Sequence, residues 1–436
     1  MSETGIRVAV VGGGSSYTPE LIEGFLTHPD VPVERIVLLD VTAGQDKQRI
    51  VEGLARRMVA KAGRAIRVEA TLDREAALTG ADFVCAQYRV GGLTARARDE
   101  SIPLRHGRIG QETVGAGGFA KAYRTIPVAL DLARDLERWA PDAWLLNFTN
   151  PAGMVTEALL THGWRRTVGL CNAPMVMQRA IAQHLDVPPD TVLLDMYGLN
   201  HLSFAHRVWH GGRNILPEVL DAWLHGEGWP GGPAFSDAMT RLIRQLGVLP
   251  NGYLRYYWLP DQMLAEEQQA MAHGLGTRAT EVMAIEADLF RRYQDPDLTE
   301  KPPELSRRGG AFYSQVAVDA LEAIALDRPR AMVLNVTNGS TLADLPAESV
   351  VEVSCRVDGD GAHPDPQPPV PPFLRGWLQL IKTYEQLTID AAVRQDRDTA
   401  VQALSLHPLV GSVDVADRIL DDMWGDRPPE AEATHE

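Results

Sequence analysis

The rhythm of the first half constrains this chain's fold more than any other feature, because short apolar, β-rich runs alternate there with stretches of helical period. "RVAVVGGG" precedes "TPELIEGFLTH", where Thr18 reads as an N-cap, Pro19 as a first-turn residue and Glu20 as an acid at the positive helix end. "ERIVLLDV" predicts a second strand and "QDKQRIVEGLARRMVAKAG" a long amphipathic helix closed by Gly63. "DFVCAQYRV" predicts a further strand, followed by an expected loop, "GGLTARARDE". The helix "TIPVALDLARDLERWAP", the strand "AWLLNFTNP", and then "AGMVTEALLTHG", "RTVGLCNAP" and "PMVMQRAIAQHL" continue the pattern. Strands this uniformly apolar must be covered on both faces. The expected class is therefore α/β, with a Rossmann-like doubly wound parallel sheet.

At 436 residues the chain exceeds one core and predicts two domains. The alternation breaks near Thr191, where "TVLLDMYGLNHLSFAHRVWHGG" reads as two adjacent strands. Long helical stretches follow, among them "SDAMTRLIRQLG" and "TRATEVMAIEADLFRRYQ". The expected division is residues 1–195 for the Rossmann-like domain, 196–425 for a second α+β domain, and 426–436 for a disordered tail. The Pro/Gly-rich segment Asp358–Phe373 reads as a surface connector, and "GWLQLIKTYEQLTIDAAVRQ" as the last helix.

A formal net charge of −16 argues against nucleic acid and anionic membrane as main partners, so an anionic substrate needs a local cluster of arginines. Three cysteines (Cys85, Cys171, Cys355) make no disulfide framework, and "MSETGIR" lacks the charge and apolar core of a secretory signal. No apolar run reaches the length of a membrane span. A cytoplasmic protein is expected.

The loop "GGGSSYT" resembles the dinucleotide fingerprint G-x-G-x-x-G/A, with Tyr17 where the third small residue belongs. Gly12 and Gly14 can supply the tight turn and the close backbone approach to a pyrophosphate, and Tyr17 calls only for looser helix–strand packing. Asp40 ends the next strand, where a carboxylate accepts from a ribose 2′-OH and repels a 2′-phosphate, favouring NAD. A glycine-rich β-turn in an unrelated α/β protein is the plainer alternative.

Other residues are ambiguous one at a time. Cys171 lies at the carboxyl end of a strand, where open α/β sheets bind ligands, although a lone cysteine is more often a small buried hydrophobe. His201 in "YGLNHLSF" reads as a core histidine, "NFTNP" as an Asn-Pro turn, and Tyr253, Tyr256 and Tyr257 as an aromatic helix face. Arg96 and Arg278 read as solvated charges. The glycine-rich Ile109–Gly118 stretch, with one acid at Glu112, is expected to be a loop of the lid type.

Taken together, "VAVVGGGSSYTPEL", "GQETVGAGGF", "NFTNPAG", "GLCNAP", "YGLNHLSF", "YLRYY" and "SLHPLVG" resemble glycoside hydrolase family 4, in the family's order, from about residue 6 to residue 425. Tyr17 belongs to that family's own glycine loop, here Gly12, Gly13, Gly14, Ser15, Ser16 and Tyr17. The resemblance implies a fold like lactate and malate dehydrogenases, and glycoside hydrolysis with NAD and a divalent metal, Mn²⁺ foremost, with Fe²⁺, Co²⁺ or Ni²⁺ as substitutes. Such enzymes stand outside two-carboxylate glycosidase chemistry. By this resemblance Cys171 and His201 hold the metal, Tyr253 takes the C2 proton, and Glu112 raises the basicity of Tyr253. Arg96, Asn150 and Arg278 contact substrate.

The implied route oxidises C3, removes the C2 proton, eliminates the C1 substituent, adds water and returns the hydride, with no net oxidation. The chain is most similar to the family's 6-phospho-β-glucosidases. Asn172 follows the metal cysteine where enzymes for α-linked substrates carry an acid, so Asn172 joins the catalytic set without serving as a proton donor. Thr280 stands where a related pattern offers a second arginine. The resemblance also implies a small sugar-phosphate substrate, a second domain serving substrate, metal and assembly, and a homodimer or homotetramer. Ligand type alone favours zinc or iron over manganese, because thiolate is soft. Rival readings are a family member for α-linked or unphosphorylated sugars, an NAD-dependent hydroxy-acid or sugar dehydrogenase, and an NAD-binding sensor without turnover.

Overall fold

The computed structural model describes residues 5–225, 235–309 and 312–425. Chain order begins with β1 (Ile6–Val11), α1 (Thr18–Thr27), β2 (Val33–Leu39), α2 (Gln45–Lys61), β3 (Arg67–Thr71), α3 (Arg74–Leu78) and β4 (Phe83–Ala86). Helices α4 (Gly92–Arg105) and α5 (Gly115–Trp139) lead to β5 (Trp144–Asn147), α6 (Ala152–His162), β6 (Thr167–Gly169) and α7 (Ala173–Leu185). The first six strands are parallel and lie in the order β3-β2-β1-β4-β5-β6, the doubly wound order of dinucleotide-binding folds. Their near-continuous burial, as in Phe83–Ala86 where every residue is buried, is what two helical layers impose.

A second sheet begins with β7 (Val192–Leu199) and β8 (Leu202–His210), an antiparallel hairpin extended by β9 (Arg213–Asn214) and β10 (Leu249–Pro250). The chain then returns to the first sheet. Strand β11 (Arg330–Thr337) adds antiparallel to β6, β12 (Val350–Asp358) to β11 and β13 (Gly361–Pro364) to β12, giving nine strands in this sheet among the described residues. That sheet therefore takes strands from both sides of residue 195.

Several local expectations need correction. "GGLTARARDE" is helix α4, with Arg96, Asp99 and Glu100 on its buried face, so its inner surface is charged and has no apolar stripe to read. The lid expected at Ile109–Gly118 does not hold, because Gly115–Gly118 form the buried first turn of α5. A Cβ on Gly117 would stand 2.3 Å from the Gln111 carbonyl oxygen, so glycine serves close packing there. Thr18 is not the N-cap of α1. Tyr17 holds that position, and the Thr18 hydroxyl donates to Gly13 O at 2.9 Å. The Asp358–Phe373 connector contains β13, and two helices (Arg397–Leu406 and Val413–Trp424) follow the one expected to be last. The expected tail, 426–436, lies outside the described residues.

His407, fully buried, receives Leu409 N on Nδ1 at 3.1 Å and meets the Tyr384 ring edge-on. Burial pushes its pKa down to about 3. An unfolded chain protonates this histidine near 6.5 while the fold keeps it neutral, so stability falls as pH drops from about 6.5 toward 3, by about 1.4 kcal/mol per pH unit. Thermal unfolding is expected to show a midpoint falling through that window, with a shallower fall in His407→Gln.

Candidate active site

The cleft lies where the strand order reverses, between the carboxyl ends of β1 and β4. Its volume of about 2560 Å³ is several times that of a usual small-molecule site, so it has room for a dinucleotide and a second ligand. After β1 the backbone turns through Gly12 at φ 83°, and a Cβ there would stand 2.8 Å from Tyr88 Cα. Neither the dihedral nor the space admits a side chain. The Asp40 carboxylate accepts from Gly14 N at 2.7 Å and from Val41 N at 2.8 Å, so it fixes the loop as well as standing at the expected ribose position.

Gly12, Gly14, Ser15, Tyr17 and Asp40 line the cleft. Gly13 backs onto Leu38, and buried Ser16 donates to Glu286 Oε2 at 3.2 Å. The Arg308 guanidinium lies 4.6 Å from the centroid of the Tyr17 ring. Burial raises the Tyr17 phenol to about 12, with Arg308 opposing.

The candidate reactive cluster draws on residues from both sides of residue 195. The Leu199–Leu202 pair closes a two-residue turn at the tip of the β7–β8 hairpin, made of Asn200 and His201. His201 is held at φ 64°, a left-handed conformation costing a non-glycine residue about 1–2 kcal/mol and typical of sites where surroundings enforce it. Its ring stacks on Tyr253 with centroids 3.7 Å apart and planes 4° apart. His201 Nδ1 is buried without a hydrogen-bond partner. Burial, with Lys121 nearby, pushes this histidine down to about 3, so it stands as neutral imidazole at physiological pH.

Cys171 follows β6 and is 2% exposed, with Ala173 N donating to its sulfur at 3.4 Å. Burial pushes its thiol well up, and Glu352 acts in the same direction. A sulfur and a neutral nitrogen, each beside Tyr253, are donor types suited to a transition metal. Among the described residues the group of three that could hold an ion is His28, Asp319 and Glu322, where Asp319 already pairs with Arg330 and Glu322 with Arg328.

Tyr253 lines the cleft at the start of a short helix, its backbone N–H donating to Asn251 Oδ1 at 3.0 Å. Burial pushes its phenol well up; Cys171, Tyr256 and Glu112 add to this, and Arg255 opposes. Glu112 is not a free charge. Arg89 pairs with it, Arg96 lies at 3.1 Å and Lys121 at 3.0 Å. Burial alone would raise this carboxyl, but the three cations outweigh it and hold it well below the usual range. Lys121, buried beside Arg89, is pushed down to about 7.

Arg96 bridges Glu112 and Glu100, which lies 2.7 Å away. Asn150 donates to the Tyr313 hydroxyl at 3.2 Å, and Arg278 pairs with Glu281 near the rim. Arg96, Glu112, Asn150, Asn172, Tyr253 and Arg278 all line one cleft. Cys171 and His201 are buried, and His201 meets the lining through the ring of Tyr253.

Sequence reasoning missed Arg89, Lys121, Arg308 and Tyr313, which also line the cleft. Arg89 carried a usable signal, because it follows the carboxyl end of β4. Lys121, inside "GGFAKAY", and Arg308, inside "SRRGG", carried none.

A doubly wound sheet whose reversal point joins a glycine loop to a thiol, an imidazole and a phenol belongs to a dinucleotide-fold enzyme, and Glu112, the carboxylate that acts on that phenol, is paired with three cations. The chain belongs to glycosyl hydrolase family 4. The family 4 glycosyl hydrolase pattern matches residues 7–187, and that of the family 4 glycosyl hydrolase C-terminal domain matches residues 196–410. A probable 6-phospho-beta-glucosidase of Bacillus subtilis is 44% identical over 430 residues, 96% of each chain. The 6-phospho-beta-glucosidase of Escherichia coli is 41% identical over 419 residues, 93% of this chain and 92% of the relative. The Thermotoga maritima 6-phospho-beta glucosidase solved with manganese, NAD+ and glucose-6-phosphate superposes with a TM-score of 0.86 at 33% identity, over 96% of this chain and 97% of that one.

Proposed function

We propose that this chain hydrolyses 6-phospho-β-glucosides with NAD and a divalent metal, Mn²⁺ foremost. The observation that carries this reading is the stack of Tyr253 on His201, whose Nδ1 has no partner, in the cleft that the glycine loop opens into. Relatives of 41–44% identity named for that activity support it over the α-linked, unphosphorylated and dehydrogenase readings. A homodimer or homotetramer in the cytoplasm, taking a small sugar phosphate and neither nucleic acid nor membrane, belongs to the same reading. No described helix is long and apolar enough to cross a membrane. The division into residues 1–195 and 196–425 is proposed with it.

The loop Gly12–Tyr17 and Asp40 hold the cofactor, and Cys171 with His201 holds the metal. When bound, NAD takes hydride from C3 and returns it, and the metal polarises the neighbouring sugar oxygens. Tyr253, in its tyrosinate form, would accept the C2 proton; burial holds the phenol protonated, and the charge of a bound divalent cation close by would favour the tyrosinate. Burial acts on the phenol most, then Cys171 and Tyr256, and Glu112 adds to them from within the cage of Arg89, Arg96 and Lys121. Asn172 borders the cleft beside Cys171 and, as an amide, releases no proton, which leaves the departing oxygen to water. Arg96, Asn150 and Arg278 contact the sugar phosphate, and Arg308 adds a buried cation that offsets the missing arginine at Thr280.

A panel of chromogenic α- and β-glycosides, with and without a 6-phosphate, assayed with NAD and Mn²⁺ under reducing conditions, tests the reading. Cleavage of the 6-phospho-β-glucoside far above the others, with no net NADH, is expected. Preference for an unphosphorylated or α-linked sugar, or steady NADH accumulation, contradicts it. Asp40→Ala is expected to weaken NAD binding roughly 10–100-fold, the value of one or two hydrogen bonds to a charged group. Fluorescence titration with NAD checks this, and an unchanged Kd would remove Asp40 from the cofactor set.

A further inference from the structure

Glu352 interrupts the apolar run "VVEVSC" in β12 and is fully buried. Its Oε1 accepts from Asn200 Nδ2 at 3.0 Å and Asn335 Nδ2 at 3.2 Å, and its Oε2 from Ser203 Oγ at 2.7 Å. Cys171 stands close enough for the two groups to act on each other electrostatically. Among the described residues no lysine, arginine or histidine forms an ion pair with it. The nearest lysine cluster, Lys382 with Glu157 and Glu385, is already overcommitted to acids. A buried carboxylate is retained where its hydrogen bonds are complete and a cation stands near. Here three neutral side-chain donors are in place.

The connections run toward both Cys171 and His201. Glu352 reaches the strand end before Cys171 through Asn335, whose Nδ2 also donates to Gly169 O at 3.4 Å, and through Asn200 and Ser203 it clamps both sides of the hairpin turn that holds His201 at φ 64°. Asn200 is fixed from its other side, where Gly153 N donates to Oδ1 at 3.4 Å and a Cβ on Gly153 would stand 3.0 Å from Asn200 Cβ. Outer partners of this kind orient metal ligands and are worth 10–100-fold in affinity.

We infer that Glu352 is the positioning residue of the metal centre, holding the strand end that leads into Cys171 and the His201 turn in register. This rests on the assignment of Cys171 and His201 as the metal pair.

The test uses the full chain with NAD and glucose 6-phosphate present. Mn²⁺ affinity is read from the electron paramagnetic resonance signal of free Mn²⁺, and the sulfur–metal bond from the near-ultraviolet thiolate-to-metal band with Co²⁺. Glu352→Gln keeps the shape but cannot accept all three donors, because its amide nitrogen replaces one accepting oxygen. It is expected to weaken Mn²⁺ binding 10–100-fold and to shift or diminish the Co²⁺ band, while NAD affinity stays within twofold. Ser203→Ala, which removes one bond to Oε2, is expected to weaken Mn²⁺ binding to a lesser degree and serves if Glu352→Gln does not fold. Mn²⁺ affinity within twofold of the parent in both variants overturns the role of Glu352. If Cys171→Ala retains full Mn²⁺ affinity and the Co²⁺ band, the metal-pair assignment fails instead.

Discussion

Replacing Tyr253 with phenylalanine is expected to lower kcat on a 6-phospho-β-glucoside by roughly 10²–10⁴-fold, the contribution of one general base, with KM little changed. The substitution keeps the ring face that stacks on His201 at 3.7 Å and its contact with Tyr256, so the cluster retains its packing. The phenol oxygen is lost. Burial pushes that phenol up, and Cys171, Tyr256 and Glu112 push the same way, leaving Arg255 as the chain's own opposing charge. A buried phenol in these surroundings has no packing reason to carry an oxygen. Steady-state kinetics alongside NAD and Mn²⁺ titrations check the assignment. A fall in kcat of less than threefold, or a parallel loss of NAD affinity, would show that Tyr253 is structural.

Cys171→Ala is expected to abolish metal-dependent turnover, a loss of at least about 10³-fold, because Lewis-acid stabilisation supplies several kcal/mol of barrier reduction. The stability cost is small, about 1 kcal/mol, since a buried cysteine behaves as a small hydrophobe. Cys171→Ser separates ligation from packing, as it keeps the volume but exchanges soft sulfur for a hydroxyl. Metal content after gel filtration, together with Mn²⁺-dependence of rate, distinguishes these outcomes. Wild-type metal retention in Cys171→Ala would exclude the thiol from the centre, whereas loss of NAD affinity would point to damage at the end of β6.

The parallel half of the fold was legible because its signal is local. Uniformly apolar runs such as "IVLL" and "FVCA" can only be covered strands, and the loop between β1 and α1 is set by Gly12. The strand partners from the second half were not legible. "RAMVLNVT" and "VVEVSCRVD" read as strands equally well in either sheet, and their pairing with β6 depends on contacts far along the chain. Helix α4 hid for a different reason: Arg96, Asp99 and Glu100 face inward, satisfied by Glu112, Arg124 and Ala279 N, so burial there does not follow hydropathy.

The same distinction divides the site. Cys171, His201 and Tyr253 each looked like core residues, and only their ordered motifs pointed to chemistry. Their juxtaposition depends on the hairpin tip at Asn200–His201 and on the short helix after Asn251, neither of which has a periodic signature. The cage around Glu112 needs a residue from the β4 loop, one from α4 and one from α5. Glu352 was the exception that sequence could have flagged, as a single acid among valines in a strand.

The central claim is that the nicotinamide is used transiently, to make the C2 proton removable, and is regenerated in each turnover. Hydrolysis of a chromogenic 6-phospho-β-glucoside in D₂O with NAD and Mn²⁺, followed by NMR of the glucose 6-phosphate formed, tests this most directly. Deuterium at C2 of the product, with no net NADH, is the predicted result. Full retention of protium at C2 during turnover would contradict it.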